Sequence, residues 1–232
     1  MIRLHVEAAL AGGAVIAATE GQAHYLGAVM RRAIGDPIHL FNGRDGEWAG
    51  RIAFLSRGKA TLAAETLVRT QSGDADLWLM FAVLKRDTTD LLVQKATELG
   101  VSALLPALTE RTNAGRVNLD RLRAIAIEAA EQSERLTVPA VHPARQLHDS
   151  LADWPVDRTL FVALERADAQ PLTPWAGPAA LLIGPEGGFG PRDHAALDRC
   201  RFVRPVSLGP RILRAETAAI VGLALLQAPG WG

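Results

Sequence analysis

Cysteine is almost missing from the 232 residues: Cys200 stands alone, which excludes an internal disulfide and makes the reducing cytoplasm the expected compartment. Apolar runs are short. None approaches the roughly 20 residues that cross a bilayer, so no membrane span is expected. The stretch 8–18 behind Arg3 has the length of a signal-peptide core, but Glu7 interrupts its start and Gly12 and Gly13 its middle. Charge of one sign is also lacking, since 25 Lys+Arg balance 25 Asp+Glu and non-specific nucleic-acid affinity cannot be argued from the whole chain. The six histidines (His5, His24, His39, His142, His148, His194) lie too far apart to form a metal motif, so no metal is expected. No phosphate-cradling G-x-x-x-x-G-K-[ST], no dinucleotide G-x-G-x-x-G with its downstream acid and no G-x-S-x-G elbow is present. NTPase, dinucleotide and serine-hydrolase readings therefore have no support.

What is present describes a globular chain: 49% apolar residues, with 21 Gly and 13 Pro spread along its length. Of the 25 basic residues 22 are Arg, whose planar fork suits phosphate oxygens and stacks on bases. Residues 1–70 read as short β elements, including 37–41, a turn over Asn42, Gly43, Arg44, Asp45 and Gly46, and 48–54, which predicts a small β-barrel. One helix, 21–32, interrupts it, with Tyr25 and Val29 on a shared face. The polar segment from Arg69 to Asp74 places the domain boundary, giving 1–72 and 73–232. From Leu77 onward apolar runs alternate with helical stretches, the pattern of an α/β fold with a parallel sheet. The predicted strands are 77–84, 103–108, 159–164, 179–183 and 202–207; the predicted helices are 89–99, 119–136, 191–199 and 215–226.

Ligands of open α/β sheets bind beyond the carboxyl ends of the strands. Each predicted strand there empties into a polar or glycine-rich loop: Lys85-Arg86-Asp87, Glu110-Arg111-Thr112-Asn113, Glu165-Arg166, residues 184–190 (GPEGGFG) and residues 208–214 (LGPRILR). Four glycines around Glu186 allow a ligand close to the backbone, although the same loop serves equally as a tight turn feeding a helix that starts at Pro191. Gly209 and Pro210 form a rigid turn able to hold Arg211 or Arg214 at the same mouth. Glu128, Gln132 and Arg135 follow helical spacing with Glu131 beside them, as do Gln94 and Glu98; both stripes read as solvated faces. His194 and Cys200 lack the partners of a nucleophilic catalyst and read as structural.

Taken in order, several blocks resemble one family. They are His24-Tyr25-Leu26 with Val29-Met30-Arg31 and Gly35-Asp36, residues 94–100 (QKATELG), Glu110-Arg111, residues 128–133 (EAAEQS) with Arg135 and Pro139, residues 183–189 (IGPEGGF), and residues 207–214 (SLGPRILR) with Glu216-Thr217-Ala218. The chain is similar in these blocks to the bacterial 16S ribosomal RNA (uracil N3) methyltransferases of the knotted SPOUT superfamily. The resemblance implies a small N-terminal PUA-like β-barrel, then a SPOUT α/β domain with a parallel sheet and a deep trefoil knot. It also implies a homodimer that acts on 16S rRNA or the small ribosomal subunit, with S-adenosyl-L-methionine as cofactor. By position, Leu164, Gly184, Pro185, Glu186, Gly187, Gly188, Leu208, Gly209, Ile212 and Leu213 are implied to line the cofactor pocket. Arg214 and Arg111 are the candidates to face the target base, and Arg3, Arg31, Arg32 and Arg135 the candidates to touch RNA.

Transfer of a methyl group to N3 asks for alignment and exclusion of water more than for a strong nucleophile. The lost proton leaves negative charge on the base carbonyls, which a fixed arginine such as Arg214 can stabilise. Two alternatives stand beside this reading: a SPOUT methyltransferase acting on transfer RNA, and a non-catalytic ribosome assembly factor.

Overall fold

The apolar alternation of the first 70 residues resolves into five strands, β1 (Arg3–His5), β2 (Val15–Ala17), β3 (Pro37–Phe41), β4 (Glu47–Ser56) and β5 (Lys59–Arg69), in the sheet order β1-β3-β4-β5-β2. The computed structural model describes residues 1–112, 117–164 and 169–228; Asn113, Glu165 and Arg166, which the sequence placed in loops beyond strands, lie outside them. From or beside every strand apolar side chains enter one core, among them Leu4, Ile16, Leu40, Ile52 and Leu62, so the sheet wraps into a barrel. Register shifts at three places between β4 and β5 supply the bend. The turn before β4 is held by Asn42, whose side-chain oxygen accepts the N–H groups of Arg44 and Asp45 at 3.0 and 2.9 Å.

The helix expected over 21–32 is a composite. Thr19 and Gln22 exchange side-chain to backbone bonds at 3.2 and 3.0 Å, a capping box that starts α1 (Glu20–His24). The chain then widens into a π-helical turn, Tyr25–Val29, closed by Met30 N–H donating to the Tyr25 carbonyl at 2.8 Å. Leu26 is fully buried and fixes this turn on the core, and Arg31 leaves it with φ +51°.

The chain divides into two compact units, Met1–Gly73 with Ala130–Val138, and Asp74–Ala129 with Pro139–Gly232. The second unit contains β6 (Leu77–Ala82), α2 (Arg86–Glu98), β7 (Ala103–Leu108), most of α3 (Leu119–Gln132), β8 (Ala140–Val141), β9 (Arg145–Gln146) and α4 (Leu147–Ala152). It continues with β10 (Thr159–Ala163), β11 (Gln170–Pro171), β12 (Ala179–Ile183), α5 (Pro191–Leu197), β13 (Val203–Ser207) and α6 (Ala215–Gln227). All its strand pairs are parallel, in the order β11-β13-β10-β12-β6-β7-β8 with β9 beside β7. Every residue of β12 is buried, as a strand covered on both faces requires. Helix α6 packs on β12 and α2, and Gly222 lets it come close to Leu181: an added Cβ would lie 2.5 Å from Leu181 Cδ2.

Helix α3 was expected to reach residue 136 but stops at Gln132, because Glu134 turns left-handed at φ +59°. Arginines of the barrel then take the freed carbonyls. Arg3 donates Nη1 to Ala130 O and Glu131 O, each at 3.0 Å, and Nη2 to Arg135 O at 2.8 Å, while Arg69 Nη2 reaches Glu134 O at 2.7 Å. Cations at a helix C-terminus also oppose its dipole.

Two expected RNA contacts are thereby corrected. Arg3 is only 8% exposed, and four of its five N–H groups are engaged, the fourth by Glu47 at 2.6 Å, so it closes a buried network instead of meeting phosphate. Arg135 lies beyond the helix, is buried, and donates Nη2 to Thr137 at 3.0 Å, so it shares no stripe with Glu128 and Gln132. Glu131, read as part of a solvated face, accepts the backbone N–H of His5 at 2.9 Å. Burial pushes the His5 imidazole below its ordinary value, with Glu7 opposing and Arg44 adding to the effect.

Candidate active site

The order β13-β10-β12 brings three carboxyl ends side by side, with Ala163 opposite Val206 and Val162 opposite Leu182. The loops leaving these ends border a cavity of about 1130 Å³. That exceeds the roughly 300–1,000 Å³ of ordinary small-molecule sites by little. One wall is the glycine loop, where Gly184, Pro185, Glu186, Gly188 and Phe189 line the space. The opposite wall is Leu208, Gly209, Pro210, Arg211, Ile212, Leu213 and Arg214, and α6 adds Ala215 and Ala218. Leu164 closes the end of β10.

The glycine loop is a turn in which Gly188 N–H donates to the Pro185 carbonyl at 2.8 Å. Gly188 has φ +69° and Gly209, across the cavity, φ +114°, backbone that a side chain would strain. Gly184 is constrained by space, since a Cβ there would meet two ring atoms of Phe189 at 3.0 Å. Pro191 opens α5, and Asp193 accepts the N–H of Gly190 at 2.9 Å. Arg214 occupies the N-cap position of α6 with extended backbone (φ −64°, ψ 154°), so its exposed side chain borders the cavity.

Most positions chosen from sequence meet here, but not all. Gly187 does not border the cavity; its carbonyl instead accepts Arg111 Nη1 at 2.6 Å. Arg111, expected to face the target base, is exposed and is not among the residues that border the cavity; one of its N–H groups is held by the glycine loop. Arg31 and Arg32 are exposed on the first unit, after the π-helical turn. Phe189 and His194 line the cavity and were missed as site residues; their rings lie 6.0 Å apart, edge to face. The signal for His194 was its place four residues after Gly190, one helical turn into α5. Among the described residues no group of three or more His, Cys, Asp or Glu could hold a metal ion, and no helix is long and apolar enough to cross a membrane.

Residues 71–227 match a family described as RNA methyltransferase domain, and residues 18–65 one described as RNA methyltransferase PUA domain. The fold and the two-loop cavity therefore define an RNA methyltransferase with a PUA domain in front of it. Similarity extends over the full chain to proteins named ribosomal RNA small subunit methyltransferase E: 30% identity with that of Rickettsia conorii, covering 98% of this chain and 96% of the relative. That of Synechocystis is 33% identical over 93% and 73%. The chain belongs to this family of ribosomal RNA small subunit methyltransferases E. In solved structures, the Neisseria gonorrhoeae member bound to S-adenosyl methionine is 28% identical with a TM-score of 0.89, covering 99% of this chain and 98% of that one. A Legionella pneumophila methyltransferase in complex with the same cofactor gives 26% and 0.88, covering 98% and 97%.

Proposed function

We propose that this enzyme transfers a methyl group from S-adenosyl-L-methionine to N3 of a uridine in 16S ribosomal RNA of the small subunit. The observation that carries it is the pairing of the 184–190 and 208–214 loops around one cavity, with Arg214 at its border. The residues fit the donor: Leu164, Leu208, Ile212 and Leu213 offer apolar surface for a planar base, and the Cβ-free backbone at Gly184, Gly188 and Gly209 admits close approach. Exposed Glu186 supplies negative charge for a cationic ligand. When bound, the donor supplies an electrophilic methyl on a sulfonium.

The remaining work falls to the chain. The two loops orient the reactants and exclude water, which is where most of the rate is to be gained. N3 must give up a proton, and the guanidinium of Arg214 stabilises the negative charge that spreads onto the base carbonyls. Arg31 and Arg32, exposed and adjacent, contact RNA phosphate.

The same reading takes the chain from 203 to 228 as the strand and helix of a trefoil knot, and the active form as a cytoplasmic homodimer. Helix α6 supports the dimer: Ile220 is 36% exposed and Val221, Ala224 and Leu225 are half-buried, an apolar face unusual on a solvated helix. The functional test is methylation of small subunits from cells lacking this enzyme, with purified protein and S-adenosyl-L-methionine, followed by nucleoside mass analysis. N3-methyluridine in 16S RNA supports the proposal; methylation of transfer RNA alone, or none, rejects it.

A further inference from the structure

The glycine loop is held from a second direction, by residues that do not line the cavity. Asp193 is buried, 7% exposed, and its carboxylate accepts N–H groups from both sides of a gap in sequence: Gly190 at 2.9 Å and Glu110 at 3.2 and 3.1 Å on its two oxygens. Glu110 answers in the opposite sense, its Oε2 accepting the Arg192 N–H at 2.9 Å. Gly190 makes this approach sterically possible, for a Cβ there would lie 2.2 Å from Glu110 Oε2. Arg111 adds the third tie, to the Gly187 carbonyl at 2.6 Å.

From these reciprocal bonds we infer that Glu110, Arg111 and Asp193 are positioning residues that strap the loop after β7 to the glycine loop and so preset the methyl-donor pocket. The physical case is one of preorganisation. A loop with four glycines is costly to order, since glycine loses the most backbone freedom on folding. Charge-assisted bonds to backbone N–H groups are among the stronger ones available to do it. One anchor lies inside the turn, where Arg111 holds position 187, and the carboxylates hold 190 and 192 just beyond it, which leaves the 185–188 turn shaped before a ligand arrives. The inference rests on the assignment of that pocket to S-adenosyl-L-methionine.

The test compares Asp193→Asn, Glu110→Ala, Glu110→Gln and Arg111→Met with the parent by calorimetry with S-adenosyl-L-methionine, by binding of a 16S RNA fragment and by thermal melting. Asp193→Asn replaces an accepting oxygen with a donor, and Glu110→Ala removes the acceptor of Arg192; each is expected to weaken donor binding about tenfold while RNA affinity stays at the parental value. Glu110→Gln keeps an accepting oxygen and is expected to restore donor binding. Arg111→Met is expected to weaken donor binding rather than RNA binding. Parental donor affinity in Asp193→Asn and Glu110→Ala, or equal losses of donor and RNA affinity, overturns the strap. A parent that binds no donor at all overturns the pocket assignment instead, and a parent that binds it leaves the variants to decide the strap.

Discussion

Arg3 and Glu47 meet at 2.6 Å in the interior of the first unit, where both side chains are buried, and Arg69 reaches the other oxygen of the same carboxylate. Burial alone would raise the Glu47 carboxyl, but hydrogen bonds from Arg3 and Arg69 and their charges outweigh it and hold the group below its ordinary range. A carboxylate depressed in the folded state adds stability above the unfolded value of about 4.3, and that stability is lost as pH falls through the folded value. Glu47→Gln is therefore expected to lower stability at pH 7 by about 3 kcal/mol, since it leaves the buried Arg3 without its anion. It is also expected to flatten the loss of stability below about pH 4. Thermal melts of both proteins across that range check the pair of effects; parallel curves would reject the account.

Two glycines separate site effects from packing effects. At Gly184 an added methyl presses on the Phe189 ring at 3.0 Å, so Gly184→Ala should weaken donor binding with little change in melting temperature. At Gly222 the clash is with Leu181 inside the helix–sheet core, and Gly222→Ala should cost about 1–3 kcal/mol of stability. Calorimetry and melting on the same two variants reveal whether the effects divide in this way.

Arg214 gives a kinetic prediction. Loss of a positioned charge that acts on the developing anion typically costs about 10²-fold or more in rate. Arg214→Ala is expected to slow single-turnover methylation by that order while leaving donor affinity nearly unchanged, and equal losses in both quantities would remove Arg214 from this role.

Arg31 and Arg32 should behave differently from Arg3. Alanine at both exposed positions is expected to weaken RNA binding and to reduce the slope of log affinity against log salt by roughly 1 for each phosphate that is no longer neutralised. Arg3→Ala should lower stability instead. Salt titrations of RNA binding beside melts of each variant distinguish them.

The methyltransferase unit was largely legible because buried parallel strands announce themselves as apolar runs: 103–108 and 179–183 coincide with β7 and β12. The others end within two residues of the expected bounds, as strand ends generally do. The cavity followed from where loops leave a parallel sheet. Long-range polar bonds left no local trace. Nothing near Arg3 signals that its partners are Ala130, Glu131 and Arg135. The early end of α3 comes from the left-handed turn at Glu134, where no glycine or proline announces it. Glu110 and Arg111 were visible as a polar loop, but their partners Asp193 and Gly187 lie 83 and 76 residues away. The π-helical turn was hidden because Tyr25, Leu26 and Val29 satisfy helical spacing equally well.

Residues Ala130–Val138 belong to the barrel's unit although 56 residues of the other unit, Asp74–Ala129, precede them in the chain. During vectorial synthesis, Arg3 and Arg69 emerge early yet wait for carbonyls that the ribosome delivers much later. The first unit cannot finish assembling before the middle of the chain has appeared, and a fragment cut after Gly73 would carry two arginines whose acceptors have been left behind.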